Sequence, residues 1–329
     1  MVDDSLIAVI CAYFRVSTCI KVSTNIPLLQ IKKNNLAMKI TISGSLGNIG
    51  KPLTTKLIAS GHEVTVITSN NDRIEAIEAL GAKAAVGSVS DAAFLKNAFT
   101  NADAVFAMTP PNLGGSDIIA NTTAAGKALA AAISEAGVKR VVMLSSIGAD
   151  LPEGTGPIAG LYNIEKIYEG LENVSLTFLR AGFFYTNLYN DVPMIKGAGI
   201  IGSNYPSTAK IPFVHPEDIA TAVAEELQKT ASGKNIRYIV SDVRTPIDVA
   251  KALGVAIAQP ELPWIEFTDE QALGGMTQAG LPEEMAGLYT EMGSGLRSGK
   301  IQHDFLSNTI AVEGKIKLED FAKEFAARF

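Results

Sequence analysis

Met38-Lys-Ile-Thr-Ile-Ser-Gly44-Ser-Leu-Gly47-Asn-Ile-Gly50 decides the fold, because an apolar strand runs straight into three glycines spaced three apart. Ile40 and Ile42 alternate as a strand requires, and the chain then turns at Gly44, where the missing Cβ permits a positive φ. Gly47 leaves room for a pyrophosphate, and Gly50 lets the following helix pack close to the strand. That helix is expected to start near Asn48, with Pro52 in its first turn and Leu53, Leu57 and Ile58 on its apolar face. An anion would sit on the free N–H groups and positive dipole end of the helix. Ser45, Leu46, Asn48 and Ile49 therefore join the three glycines as candidate cofactor contacts. A second strand, 63–68, follows Gly61, so strand, turn, helix and strand fit one βαβ unit.

Outward from this unit the alternation continues. Helices are expected at 73–80, 91–99, 118–136 and 161–171, with strands at 83–87, 104–108, 139–145 and 175–180. Buried strands alternating with helices predict an α/β fold: a Rossmann-like doubly wound parallel sheet, with ligands at the carboxyl ends of its strands. Beyond Ala181 the pattern loosens into a Gly-rich segment at 196–202. It recovers at 219–228, a helix that Asp218 is expected to cap, and at a strand 237–240. Residues 245–307 mix helices with Gly and Pro breaks, and 318–329 read as a closing helix. The domain reading is a nucleotide-binding core at 38–244 and a smaller C-terminal substrate lobe at 245–329.

Composition narrows the classes. The chain has 329 residues, a formal net charge of −6, 47% hydrophobic and 19% charged residues. Its basic residues are scattered, the densest pair being Lys32-Lys33, so nucleic acid is excluded as a partner. Both cysteines, Cys11 and Cys19, precede Met38, which excludes a disulfide framework in the body and makes the cytoplasm the expected compartment. The apolar run 6–14 is too short to span a bilayer, and Asp3 and Asp4 stand where a secretory signal would carry Lys or Arg. Residues 1–37 are thus expected to be an extension outside the fold, and no membrane partner is expected. His62, His215 and His303 lack metal-ligand spacing, so no metal site is expected.

Five further stretches, taken with the glycine turn, carry a resemblance. Gly44-Ser-Leu-Gly-Asn-Ile-Gly50 is joined by Gly81-Ala-Lys-Ala-Ala-Val-Gly-Ser-Val-Ser-Asp91 and Ala102-Asp-Ala-Val-Phe-Ala-Met-Thr-Pro-Pro111. Val141-Val-Met-Leu-Ser-Ser-Ile-Gly148, Leu179-Arg-Ala-Gly-Phe-Phe184 and Val214-His-Pro-Glu-Asp-Ile-Ala220 complete the set. Together, over about residues 38 to 329, they resemble the NmrA-like branch of the atypical short-chain dehydrogenase/reductase superfamily. The resemblance implies NAD(P)H binding, with Thr109 and Pro110 beside the cofactor. It also implies either quinone reduction or cofactor binding without turnover, since the family contains both.

Cofactor choice is a question of charge. An NAD site ends its second strand with an acid for the ribose hydroxyl, whereas this strand ends Thr68-Ser69-Asn70-Asn71-Asp72-Arg73. Ser69 and Asn70 can donate to a 2′-phosphate and Arg73 can pair with it, so NADP(H) is preferred over NAD(H), although Asp72 opposes this and Arg73 also suits a plain helix start. Where family members often carry an Asp near the adenine, this chain has Ser88.

For catalysis, Tyr162-Asn-Ile-Glu-Lys166 matches the Tyr-x-x-x-Lys spacing of short-chain reductases, with Ser145 and Ser146 ending the fifth strand. In that mechanism Tyr162 donates the proton, Lys166 lowers its pKa and holds the ribose, and Ser146 polarises the carbonyl. The competing reading makes Tyr162 a cover for the core edge. Phe183, Phe184, Tyr185 and Asn187 follow the sixth strand, where a planar acceptor would stack. The function expected is NADPH-dependent reduction of a quinone or small conjugated carbonyl, a small-molecule acceptor. Its rival is a redox sensor that binds the cofactor and signals without turnover. Oligomeric state, a homo-oligomer included, stays open.

Overall fold

The computed structural model describes residues 37–110, 116–308 and 310–329. The extension expected at 1–37 lies, Ala37 apart, outside the described residues. Seven strands form the main sheet: β1 Lys39–Ile42, β2 Glu63–Thr68, β3 Lys83–Val86, β4 Ala104–Ala107, β5 Arg140–Ser146, β6 Ser175–Ala181 and, late in the chain, Lys234–Ile239. In space they run from β3 through β2, β1, β4, β5 and β6 to Lys234–Ile239, every pair parallel. The order reverses between β1 and β4, the switch point at which doubly wound sheets open a crevice for ligands.

Both faces of the sheet are covered, and the side chains divide by parity. Ile40, Ile42, Val64, Val66, Ala104 and Phe106 face Leu53 and Leu57 of the helix Gly50–Ala59 and Ile219 and Val223 of the helix Pro216–Leu227. Ile67, Val105, Ala107, Val141 and Met143 face Leu129, Ile133, Ile164 and Tyr168 on the helices Ile118–Ala136 and Ile158–Glu169. Continuous burial on both faces is why the strands read as apolar runs.

A second layer follows β6. Three short strands, Phe183–Phe184, Ile211–Val214 and Asp242–Arg244, form a small sheet, and Ile201–Ser203 pairs with Trp264–Glu266. Their core includes a column of rings: Tyr185 stacks on Phe213 at 5.3 Å and on Phe321 at 5.1 Å. The helix Leu318–Ala326 delivers Phe321 and Phe325 to this column, as expected of a closing helix.

Three local expectations are corrected. The first helix begins at Gly50 rather than near Asn48, because the turn occupies the preceding residues. The helix expected from Leu161 begins at Ile158, directly after Pro157. Asp218 is not the cap of its helix. The His215 ring accepts from the Glu217 N–H instead, and the buried Asp218 carboxylate accepts from the Ser241 hydroxyl at 2.6 Å and the Ile316 N–H at 3.0 Å. It ties the C-terminal segment to the sheet.

Candidate cofactor and substrate site

The glycine turn has the geometry its sequence implies. Gly44 takes φ +99°, and a Cβ there would also strike the Met108 methyl. At Gly50 a Cβ would fall 2.0 Å from the Ser45 carbonyl oxygen, so only glycine allows the helix to start against the turn. Gly47 differs: it is exposed, with no atom within 4 Å of where its Cβ would point. Within the turn the Gly47 N–H donates to Ser45 O and the Lys51 N–H to Gly47 O. Among the described residues, the Asn48 and Ile49 N–H groups are left without a protein acceptor. That pair, at a helix N-terminus with open space above Gly47, offers the free donors a phosphate group requires. Leu46 packs half-buried against the core beside the turn.

The turn is tied to both neighbouring strands. The Ser45 hydroxyl donates to Thr68 Oγ1 at 3.1 Å, at the end of β2. Ser43 receives the Met108 N–H at 2.7 Å at the end of β4. Just past Thr68, Ser69, Asn70 and Arg73 are exposed together. The Asn70 side-chain oxygen is spent on the Asp72 N–H at 2.8 Å, which turns its amide NH2 outward as a donor. Arg73 makes no ion pair among the described residues. Ser88 is exposed at the end of β3, and its hydroxyl oxygen accepts from the Ser90 N–H at 3.1 Å.

Adjoining the turn through Met108 is a cavity of about 420 Å³ at the carboxyl ends of β4, β5 and β6. Thr109 and Pro110 form its edge nearest the turn, and Leu144, Ser145, Ser146, Ala181 and Gly182 its floor. Phe183, Phe184 and Asn187 line it as expected, but Tyr185 is sealed in the ring column behind. The roof comes from the helix Glu283–Arg297: Met285, Tyr289, Met292 and Leu296 fall on one stripe by their spacing, and Ile301 and Gln302 continue it. Glu284 holds this helix down, its carboxylate accepting from the Ile118 N–H at 2.7 Å and the Asp117 N–H at 2.8 Å at the start of the facing helix. Burial pushes the Tyr289 hydroxyl above its ordinary value, which keeps it protonated. No charged side chain lines the cavity among the described residues.

The expected catalytic set is only partly brought together. Ser146 is on the floor, its hydroxyl donating to Ile147 O at 2.9 Å. Tyr162 and Lys166 are not in the wall. The wall takes Pro157, Ile158 and Leu161 from their helix, while Lys166, 52% exposed, pairs with Glu169 at 3.0 Å and lies over the Tyr162 ring. One residue along a helix turns the side chain by about 100°, so a correct spacing can sit at the wrong phase.

Two charged residues unmarked by the sequence reading support the floor. Ser145 donates to Glu165 Oε1 at 2.5 Å, and Arg180 grips both Glu165 oxygens at 3.1 and 2.7 Å. Both are deeply buried, and Arg180 also reaches Asp304 at 3.2 Å, which in turn accepts from Tyr238. Burial lowers the Arg180 pKa, but Glu165, Asp150 and Asp304 outweigh it and leave the guanidinium above its ordinary value. A signal for the pair exists: an acid on the apolar face Leu161, Ile164, Tyr168 and a base inside the apolar strand 175–181 announce an internal ion pair.

No helix among the described residues is long and apolar enough to cross a membrane. The chain is 26% identical over 300 residues to the NAD(P)H azoreductase of Xenophilus azovorans, covering 88% of this chain and 99% of that protein. The triphenylmethane reductase of Citrobacter sp., solved with NADP(H), matches with a TM-score of 0.71 at 19% identity, over 87% of this chain and 99% of its own. An NADPH-dependent quinone oxidoreductase from Escherichia coli matches with a TM-score of 0.71 at 18% identity, over 87% and 98%. At such identities the two structures speak for the fold alone, and the reversal of strand order beside a glycine turn is its mark. The NmrA-like family model matches residues 37–260, and with the motifs of the turn, β5 and β6 all inside that span the chain belongs to the NmrA-like family.

Proposed function

We propose that this protein is an NADPH-dependent reductase of uncharged, planar, conjugated acceptors, a quinone or a small conjugated carbonyl. The observation that carries the reading is the cavity: about 420 Å³, mostly apolar, without a charged side chain among the described residues, and joined to the glycine turn through Met108. Its size suits a small aromatic molecule, and an anionic one would enter without a counter-charge. The azoreductase named above acts on a conjugated molecule by its name, which supports the same class.

In this reading the Asn48 and Ile49 N–H groups hold the pyrophosphate over Gly47, with Gly44 and Gly50 shaping the turn. Ser69, Asn70 and Arg73 hold the 2′-phosphate, Ser88 lies toward the adenine, and Thr109 and Pro110 guide the cofactor into the cavity. The bound cofactor supplies a hydride from its nicotinamide. Phe183 and Phe184 offer faces for the acceptor, and the roof helix keeps water out. Tyr289 takes the hydroxyl role expected of Tyr162, donating to the acceptor's oxygen as charge builds there. The test is a matched pair: naphthoquinone is expected to drive NADPH consumption and its sulfonate to do so at least about tenfold less efficiently, an unpaired buried charge costing more than 1.4 kcal/mol. Equal efficiencies would remove the cavity from the argument.

Cofactor choice gives a second expectation. A 2′-phosphate contact to Arg73 is charge-assisted and worth roughly 1.5–3 kcal/mol, so NADPH should bind at least about tenfold tighter than NADH. Arg73→Ala should remove most of that margin and leave NADH affinity nearly unchanged, as read by fluorescence titration. A variant that weakens both cofactors alike would make Arg73 an ordinary surface residue.

A further inference from the structure

Gln302 is a cavity residue with an unmet demand. It is 4% exposed and lies in the cavity wall. Its amide NH2 donates to Leu296 O at 3.0 Å, which fixes the orientation of the group, while its Oε1 is buried without a hydrogen-bond partner. Leaving a buried carbonyl oxygen unpaired is costly, so a donor that reaches it from the cavity would gain a full hydrogen bond. The residue before it, Ile301, packs against Gly148, two residues past Ser146.

The floor there has the same polarity. The Ser145 hydroxyl hydrogen is committed to Glu165 and the Ser146 hydroxyl hydrogen to Ile147 O, so these two floor residues have only acceptor capacity left. The Glu165 carboxylate is itself locked by Arg180, which keeps Ser145 in that orientation. A bare quinone or ketone carries only acceptors and answers none of these groups. In the proposed reading its carbonyl oxygen is served by Tyr289, which lines the roof.

We propose that Gln302 is a specificity residue that selects acceptor molecules bearing an N–H or O–H group, such as amino- or hydroxy-substituted quinones, by taking a hydrogen bond at its Oε1. This rests on the cavity being the substrate site of a reductase. Leu296 O holds the orientation of the amide, so the ligand must supply the donor.

The test separates binding from turnover by using two probes that are not reduced, naphthol and methylnaphthalene, titrated calorimetrically into the full chain. Naphthol is expected to bind about tenfold tighter than methylnaphthalene, the scale of one neutral buried hydrogen bond. In Gln302→Met, which keeps the length and apolar contact, the two probes should bind alike. Equal affinities in the unmutated protein, a result independent of whether the variant folds, would overturn the proposal. So would an undiminished naphthol preference in Gln302→Met, which would mean that solvent serves this oxygen. With turnover as the readout, aminonaphthoquinone should show about a tenfold lower KM than methylnaphthoquinone only while Gln302 is present. Failure to consume NADPH with either quinone would defeat the reductase reading and leave the probe result standing.

Discussion

Gly47→Val is expected to lower NADPH affinity by at least about a hundredfold while leaving the fold intact. The valine would occupy the open space above the turn, beside the unpaired Asn48 and Ile49 N–H groups that this reading assigns to the pyrophosphate. Two hydrogen bonds to a charged phosphate are worth about 1.5–3 kcal/mol each, and about 1.4 kcal/mol is tenfold. Stability should hardly change, because position 47 is exposed and no atom lies within 4 Å of the added Cβ. Gly50→Ala supplies the contrast three residues on. Its Cβ would fall 2.0 Å from one backbone oxygen and 2.8 Å from another, and backbone yields little. That overpacking should cost about 1–3 kcal/mol or more, read as a lower melting temperature. If Gly47→Val melts early, or binds NADPH normally, the turn is not the phosphate seat.

Glu165→Ala should produce the largest loss of stability among substitutions near the cavity. It removes the partner of a buried guanidinium and the acceptor of the Ser145 hydroxyl at once. Breaking a buried pair from one side costs about 3–5 kcal/mol. The lower end applies here, because Asp150 and Asp304 still face Arg180. Chemical denaturation should show that loss, and the melting temperature should fall by roughly 6–10 °C. Glu165→Gln, which keeps an acceptor for Ser145, should lose less. A Glu165→Ala protein as stable as the original would make the ion pair a bystander.

Much of this fold is legible before any coordinates. The strand-to-glycine step at 38–50 is readable because each glycine answers a separate steric demand, and Gly44 and Gly50 meet those demands as expected. The parallel sheet is readable because strands buried on both faces leave unbroken apolar runs. The site is legible only in part. Ser146, Phe183, Phe184 and Asn187 reach the cavity because they follow strand ends, where the topology gathers side chains. The spacing of Tyr162 and Lys166 carries no information about helix phase, and the phase presents Leu161 instead. Met285, Tyr289, Met292 and Leu296 form a stripe indistinguishable in sequence from a core-facing one. Gln302 has no local pattern at all: only burial without a partner marks it.

Turnover separates a reductase from a cofactor-binding sensor, and anaerobic mixing of the protein with NADPH and methylnaphthoquinone reads it. The prediction is catalytic consumption of NADPH, one equivalent for each hydroquinone formed, lost in Gly47→Val. NADPH that binds in titration yet stays unconsumed with every uncharged quinone, azo compound and conjugated carbonyl offered would contradict the claim and leave a cofactor-binding sensor.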